Sequence, residues 1–212
     1  MKKIASPLFQ DLSEAELDTL AAAGHLRTRQ FAKHEVIFRA GSCVREIGIV
    51  LRGSVHIENL DLWGTKSILS SVGAGQAFAE TYAFCGEALM VDAVAAEHCE
   101  ILFLHTAALT DARIEPALQD KLLRRLLAVS MRKNLSLSQR IFCTTPKTVR
   151  GRLLTYFSAQ AARCGRMEFE VPFNRQQMAD YLNLDRSALS KELCKMRDEG
   201  LLEFDKNRFV LK

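Results

Sequence analysis

The sequence lacks the features of membrane-spanning and secreted proteins. No apolar run approaches the roughly 20 residues that a transmembrane helix needs, and Met1-Lys2-Lys3 is not followed by the apolar stretch of a signal peptide. The six cysteines occur singly, without the close spacing of zinc or iron–sulfur ligands. We therefore expect a cytoplasmic protein with free thiols, no membrane partner, no metal and no cofactor.

Clusters of catalytic residues are scarce as well. The five histidines are far apart in the sequence, and neither a Ser-His-Asp motif nor a phosphate-binding glycine loop is found. A metal enzyme on a cupin-like β-roll is the enzymatic alternative, but such a site needs closely spaced histidines. We expect a binding protein and no enzyme.

The positive charge of the chain is concentrated near its C-terminus. Residues 140–212 contain 14 Lys and Arg against 9 Asp and Glu, a net charge of +5, whereas residues 1–139 have a net charge of −1. A basic segment beside a nearly neutral one indicates a module that binds a polyanion, joined to a second module with another role.

The N-terminal half has the pattern of an antiparallel β-roll preceded by a short helix. Ser13-Glu14-Ala15-Glu16 is a capping box and predicts a helix from about 13 to Ala23. From about 26 to 105, short apolar or alternating runs are separated by Arg52-Gly53, Trp63-Gly64 and Gly73-Ala74-Gly75. The predicted strands include Ile47–Leu51, Val55–Leu60, Lys66–Val72, Val91–Ala95 and Glu100–Leu104.

A long helix is predicted over residues 116–141, with Pro116 in its first turn. Its apolar residues form two stripes, which indicates burial on two sides. One side would pack on the roll, and a partner subunit is the natural candidate for the other. The first stripe consists of Leu118, Leu122, Leu126 and Val129, and the second of Leu123, Leu127, Leu137 and Ile141.

The chain then breaks at Thr144-Thr145-Pro146-Lys147, and a new helix is predicted through roughly Ala162, with Pro146 in its first turn. The alternation from Met167 to Phe173 predicts a half-buried strand.

Residues 174–199 carry the sharpest functional signal. Asn174-Arg175-Gln176-Gln177 has the pattern of a capping box for a short helix, Asn183-Leu184 makes a turn, and Asp185 can cap a second helix. Two short helices joined by a tight turn form a helix-turn-helix. Leu201–Leu211 predicts two further strands, which would add a wing to this motif.

The second of these helices has one apolar face and one polar, basic face. Leu189, Leu193 and Met196 form the apolar face. The opposite face suits the major groove of DNA, since arginine matches the two acceptors of guanine and hydroxyls bind several bases or phosphate. We predict DNA contacts at Arg186, Ser187, Ser190 and Lys191, with Arg175 and Gln176 placed to reach phosphate from the first helix.

These residues resemble the Crp/Fnr superfamily of the cyclic-AMP receptor protein and the fumarate–nitrate regulator. The similarity is best in Phe173–Val210, where Asn174-Arg175-Gln176-Gln177, Asp185-Arg186-Ser187 and Lys191 match the family's helix-turn-helix pattern. It extends more weakly over nearly the whole chain. By position, Arg186 and Lys191 would read bases, and Ser187 occupies a base-reading slot that is often glutamate in the family.

The resemblance implies an α+β protein with three parts. Residues 1–115 would form an effector-sensing antiparallel β-roll of the cyclic-nucleotide-binding, jelly-roll type, residues 116–142 a long dimerisation helix, and residues 143–212 a winged helix-turn-helix. It also implies a homodimer on a near-palindromic operator of double-stranded DNA, with half-sites about one helical turn apart. RNA polymerase is a further candidate partner.

The effector site departs from the family pattern. Cyclic-nucleotide binders of the family have a Gly-Glu pair and, about ten residues later, an arginine that holds the cyclic phosphate. Here the pair is Ala79-Glu80, the arginine slot falls near Leu89-Met90, and no Lys or Arg occurs between Lys66 and Arg113. A buried phosphate without a cation is costly, so we expect an effector other than cyclic AMP. The candidate pocket residues are Gly75, Phe78, Glu80, Tyr82, Leu89 and Met90.

Three alternatives stay open at this point. A haem bound by His56 or another histidine would make the chain a gas sensor on the same fold, and Cys43, Cys85 or Cys99 could instead sense redox state. The third alternative is a regulator that binds DNA without any small effector.

Overall fold

The computed structural model describes residues 4–60 and 66–212. The predicted turn at Trp63-Gly64 therefore lies outside the described residues. The chain divides into two compact units, Met1–Arg132 and Lys133–Lys212, and the division falls within one long helix. In the described residues no helix is long and apolar enough to cross a membrane.

In its described residues, the first unit contains two short helices, the start of the long helix, and eight strands. Its elements are α1 (Glu14–Ala22), β1 (Leu26–Phe31), β2 (Val36–Phe38), β3 (Glu46–Arg52), β4 (Ser54–Leu60), β5 (Lys66–Gly73), β6 (Ala77–Phe78), α2 (Glu80–Cys85), β7 (Asp92–Ala95), β8 (Cys99–His105) and α3 (Pro116–Thr144). Short 3₁₀ turns precede α1 at Pro7–Phe9 and follow β8 at Thr106–Leu109.

The strands form two four-stranded antiparallel sheets with the orders β1-β8-β3-β6 and β2-β7-β4-β5. The predicted β-roll and five predicted strands are thus confirmed, with β1, β2 and β6 added. The capping box of α1 is also present: the Ser13 hydroxyl accepts from the Glu16 amide, and the Glu16 carboxylate accepts from the Ser13 amide.

Each face of the first sheet belongs to a different core. Val50, Ile101 and Phe103 face the second sheet and pack in one cluster with residues such as Phe38 and Val55. The neighbouring strand residues Ile47, Ile49, Leu102 and Leu104 face the other way and pack with the helices. The period-2 alternation of β-strands explains why one strand serves both cores.

The first apolar stripe of α3 belongs to the second of these clusters. Leu118, Leu122 and Leu126 are buried against Leu17 and Leu20 of α1 and the outer face of the first sheet. The prediction that one side of α3 packs on the roll is confirmed, and these three residues form that side. The second stripe is exposed in the single chain, as Leu123 and Leu127 show.

The second unit contains the rest of α3 and a three-stranded sheet beside three further helices. These elements are α4 (Val149–Cys164), β9 (Glu168–Glu170), α5 (Arg175–Leu182), α6 (Arg186–Asp198), β10 (Leu202–Asp205) and β11 (Arg208–Leu211). The sheet has the order β10-β11-β9 and is antiparallel.

Two details of this unit differ from the sequence prediction. Pro146 lies in the break before α4 and not in its first turn, because Thr148 is the N-cap and accepts from the Gly151 amide. The predicted strand from Met167 to Phe173 is regular only at Glu168–Glu170, where it pairs with β11.

Candidate nucleic-acid interface

Local hydrogen bonds fix both helices of the helix-turn-helix. Asn174 caps α5 by accepting from the Gln177 amide, and the Gln177 side chain accepts from the Asn174 amide in return. Asn183 ends α5 in the left-handed region at φ 53°, a conformation that asparagine tolerates better than most residues. The carboxylate of Asp185 then accepts from the Ala188 amide and starts α6.

The inner face of α6 is anchored in the core of the second unit. Leu189, Leu193 and Met196 are fully buried in one cluster with Met178 and Leu182 of α5. This burial fixes which side of α6 faces outward.

The outer face of α6 is open. Arg186, Ser187 and Lys191 are exposed and Ser190 is half-buried. Within the described residues, Arg186 and Lys191 have no hydrogen bond or ion pair to another side chain. The Ser187 hydroxyl donates to Asp185 at 2.5 Å, and this bond, with the Ala188 amide, holds the pKa of Asp185 below its usual value. The carboxylate therefore stays ionised at the positive end of α6, where an anion is favoured.

The two predicted phosphate contacts on α5 are partly engaged within the protein. The Gln176 amide donates to Asp180 at 2.8 Å, one turn along α5. The Arg175 guanidinium lies about 5.0 Å from the ring centre of Phe204 and 5.1 Å from that of Phe209. Its Nη1 is buried without a hydrogen-bond partner in the described part of the chain, and burial lowers its pKa.

Three arginines that sequence reasoning missed hold the helices in place. Arg140 of α3 donates to the carbonyls of Asp180 and Tyr181, and Arg152 of α4 donates to those of Leu182 and Asn183. These carbonyls lie at the C-terminal end of α5, where the helix itself provides no amide to donate a hydrogen bond to them.

The third of these arginines, Arg150 of α4, joins α4 to α6. It forms ion pairs with Glu192 at 2.5 Å and with Glu199 at 2.8 Å, and these two carboxylates raise its pKa further. No local sequence signal marks these contacts, because the partners are 42 and 49 residues away.

The wing follows α6 directly. The strands β10 and β11 pair from Leu202↔Leu211 to Asp205↔Arg208, and Lys206 stands in the turn between them with φ 49°. Lys206 is exposed. It places a further cation, which the sequence analysis did not single out, at the tip of the wing.

The predicted effector residues are only partly brought together in the first unit. Phe78 and Leu89 are buried in the cluster between the two sheets, and Tyr82 packs against it. Met90, in contrast, is 78% exposed.

Gly75 is a turn residue with φ 81°, and a Cβ there would lie 2.4 Å from the carbonyl oxygen of Ala5. A side chain at this position would therefore clash with the backbone.

A cavity of about 240 Å³ lies between α2 and α3 in the first unit. Glu80 is the member of the predicted effector set that lines it, and Glu80 itself is buried. The other walls are mostly apolar and include Phe84, Leu123, Leu126 and Leu127.

The cysteines and the histidine of the alternative sensor hypotheses differ in burial and in their neighbours. Cys99 is fully buried, and burial raises the pKa of its thiol, which disfavours the reactive thiolate. Cys43 and Cys85 are exposed. His56 lies 3.7 Å from the carboxylate of Glu58. Among the described residues no group of three or more His, Cys, Asp or Glu is arranged to hold a metal ion.

The fold and the open α6 face define a two-part protein that joins a β-roll to a winged helix-turn-helix. Residues 28–113 match the family model of the cyclic nucleotide-binding domain, and residues 151–212 match that of the Crp-like helix-turn-helix domain. The chain therefore belongs to the Crp/Fnr family of DNA-binding transcription regulators. The resemblance inferred from the sequence is confirmed. No curated protein matches the sequence significantly.

Solved structures share this fold at low sequence identity. CprK in complex with OCPA is 12% identical, with a TM-score of 0.63, and the match covers 94% of this chain and 89% of CprK. CLP of Xanthomonas campestris, a c-di-GMP-responsive global regulator, is 19% identical with a TM-score of 0.54, covering 94% of this chain and 99% of CLP. A cyclic nucleotide-binding domain from Methylobacillus flagellatus is 22% identical with a TM-score of 0.55, covering 66% of this chain and 76% of that domain.

Proposed function

We propose that the chain is a homodimeric, sequence-specific regulator whose α6 enters the major groove of DNA under the control of an effector other than cyclic AMP. The open, unpaired face of α6 carries this proposal. Arg186 and Lys191 are without protein partners among the described residues, and an unpaired arginine fork can bind guanine through two hydrogen bonds.

Each residue of the interface has a separate role in this proposal. Arg186 and Lys191 read base edges, while Ser187 and Ser190 bind bases or phosphate beside them. Arg175 and Gln176 stand at the start of α5 near phosphate, and a phosphate contact of Arg175 requires its guanidinium to turn away from the rings of Phe204 and Phe209, because its Nη1 is buried there.

The exposed apolar stripe of α3 supports the homodimer. Leu127 is 56% exposed and Ile141 is 65% exposed, and every residue from 131 to 142 is exposed in the single chain. An apolar stripe of this kind marks an interaction surface. A second copy of the same helix would cover it with an identical stripe, and the resulting two-fold symmetry requires an operator with two related half-sites.

The chemistry of the roll supports an effector without a phosphate group. The slot expected for the phosphate-binding arginine falls near Leu89-Met90, and residues 67–112 contain six acidic residues and no Lys or Arg. The cavity between α2 and α3 has mostly apolar walls and suits a neutral or apolar molecule. CprK, a protein of this fold, forms a complex with OCPA, a compound other than cyclic AMP.

Selection of bound sequences from random duplex DNA tests the proposal. We expect a two-fold symmetric motif, and we expect the affinity for it to fall steeply as salt rises, because phosphate contacts release counterions. Cyclic AMP should leave this affinity unchanged, while a metabolite extract should alter it. A protein that selects no motif, or that binds DNA equally at low and high salt, would contradict the proposal.

A further inference from the structure

A second cavity, of about 120 Å³, lies within the helix-turn-helix unit. Its walls come from the C-terminal part of α3, from α4 and from α5. Tyr156, Gln160 and Arg163 of α4 line it together with Tyr181 of α5 and Phe142 of α3. None of these residues belongs to the effector cavity of the roll or to the open face of α6.

Two buried polar atoms at this cavity lack a hydrogen-bond partner among the described residues. They are the Tyr156 hydroxyl and the Gln160 Oε1. Tyr156 is only 2% exposed. The two residues are one helical turn apart, so they lie on the same face of α4. Buried polar groups are nearly always paired, and leaving one unpaired is costly. Two such atoms on residues that line one cavity are the groups that a polar ligand there would satisfy.

The lining groups define what that molecule must carry. Burial raises the pKa of Tyr156, so its hydroxyl stays protonated and can donate. The Gln160 oxygen can only accept. A ligand hydroxyl satisfies both, because it accepts from Tyr156 and donates to Gln160.

Arg163 favours a ligand that carries a negative charge. It lines the cavity, is exposed to solvent, and has no ion pair with any described residue. Among the described residues that line the cavity there is no Asp or Glu. An anionic group on the ligand would therefore meet a cation without competition from a carboxylate.

The shape of the cavity favours a flat molecule. The rings of Tyr156 and Tyr181 stand edge to face with their centres 5.7 Å apart, and aromatic walls of this kind pack well against a further ring. A protein cavity of about 150 Å³ holds one benzene molecule. The space of about 120 Å³ is close to that size and has the exposed Arg163 in its lining, so it suits one ring whose charged group extends outward.

We propose that this cavity is a ligand site for a small planar hydroxy-carboxylate, whose hydroxyl lies between Tyr156 and Gln160 and whose carboxylate lies at Arg163. The site is separate from the effector cavity of the roll. The inference concerns binding alone and does not depend on the proposed regulation of DNA binding.

Titration calorimetry on the full chain with 4-hydroxybenzoate tests the site. We expect saturable binding with a dissociation constant on the order of 1 mM, as suits about ten non-hydrogen atoms. Phenol and benzoate, which each lack one of the two polar groups, should bind at least about tenfold more weakly, since about 1.4 kcal/mol for each missing hydrogen bond or ion pair is a factor of ten.

Three variants separate this site from nonspecific binding. Tyr156→Phe should weaken 4-hydroxybenzoate about tenfold, and it should not lower the thermal unfolding midpoint, because the hydroxyl it removes has no partner among the described residues of the free protein. Arg163→Gln should weaken 4-hydroxybenzoate but leave phenol unchanged. Arg166→Gln, an exposed arginine outside the cavity lining, serves as the matched control and should change neither.

Two kinds of result would overturn the proposal. One is the absence of saturable binding when 4-hydroxybenzoate is raised to about tenfold the expected dissociation constant, which would mean that water alone fills the cavity. The other is binding that Tyr156→Phe and Arg163→Gln leave intact, or a loss of stability in Tyr156→Phe that reveals an existing bond of the hydroxyl.

Discussion

Replacing Arg186 by alanine is the sharpest test of the α6 interface. Arg186 is the first residue of α6, is exposed, and has no hydrogen bond or ion pair to a described residue. Its removal breaks nothing within the protein, so the free energy of unfolding should change by less than about 0.5 kcal/mol.

The effect on DNA should be much larger. Loss of a bidentate guanine contact costs about 1–3 kcal/mol, or about 5- to 150-fold in affinity. A homodimer makes this contact twice, and distant sites add, so a symmetric operator should lose about 2–6 kcal/mol. The loss should be confined to one base pair in each half-site, because an arginine at the N-terminal end of a recognition helix reaches only a short stretch of the groove.

Fluorescence anisotropy measures this directly on the selected operator and on its single base-pair variants, at one fixed salt concentration. The wild type should discriminate at one position where Arg186→Ala does not. Arg197→Ala is the matched control on the same helix, since Arg197 is already paired with Asp198 in the last turn. If Arg186→Ala kept the wild-type preference at every position, or if Arg197→Ala lost it equally, the assignment of Arg186 as a base reader would be refuted.

Three further predictions, the first of them with a comparison variant, concern other parts of the chain. Leu127→Lys on the exposed stripe of α3 should shift sedimentation from dimer to monomer, whereas Leu122→Ala, on the buried stripe, should lower the free energy of unfolding by about 2–5 kcal/mol. Gly48→Ala should destabilise the roll by about 1–3 kcal/mol, because a Cβ there would lie 2.3 Å from the Phe78 ring. Asp185→Asn should flatten the acid limb of a stability–pH curve: the folded pKa of Asp185 lies below its usual 3.8, so its contribution is present above that pH and is lost as the pH falls through the lowered pKa.

Each of these results has a contrary outcome. Sedimentation of Leu127→Lys as a dimer would place the subunit contact elsewhere. An unchanged melting midpoint for Gly48→Ala would mean that the Phe78 ring moves aside freely. An acid limb that is the same in Asp185→Asn and the wild type would assign the low-pH loss of stability to other carboxylates.

The parts of the fold that the sequence predicts well are those with local causes. The capping boxes at Ser13 and Asn174 and the cap at Asp185 act over three residues, so each can be recognised from the sequence. The buried face of α6 follows equally from helical periodicity, as Leu189 and Leu193 show.

The parts that escaped sequence analysis depend on contacts between distant segments. The pairing of Arg150 with Glu192 joins residues 42 positions apart, and nothing near either one indicates the other. The burial of Leu89 between the two sheets, and the exposure of its neighbour Met90, depend in the same way on how the roll closes. The candidate effector residues follow from their positions in a family pattern. In the structure they lie apart, in the core, in a turn and at the surface.

Contacts between distant segments also change how the basic charge of residues 140–212 should be understood. A net charge of +5 suggests a broad cationic surface, but many of these cations are engaged within the protein. Arg140 and Arg152 bind carbonyls, Arg150 binds two carboxylates, and Arg175 lies over two rings. These side chains hold α5 and α6 in position, and their charge is mostly compensated or directed inward.

The cations that remain free to meet DNA include two on α6 and one on the wing. Arg186 and Lys191 stand on the open face of α6 and Lys206 at the tip of the wing, each exposed and without a partner among the described residues. Because nonspecific affinity scales with the number of phosphates neutralised, the salt dependence should reflect the free cations that reach a phosphate, and not the full count of basic residues. Lys206→Ala should therefore reduce the slope of log affinity against log salt by about 0.9 for each phosphate that Lys206 neutralises, and it should weaken the binding of all DNA sequences equally. A slope that Lys206→Ala leaves unchanged would show that the wing does not touch the DNA backbone.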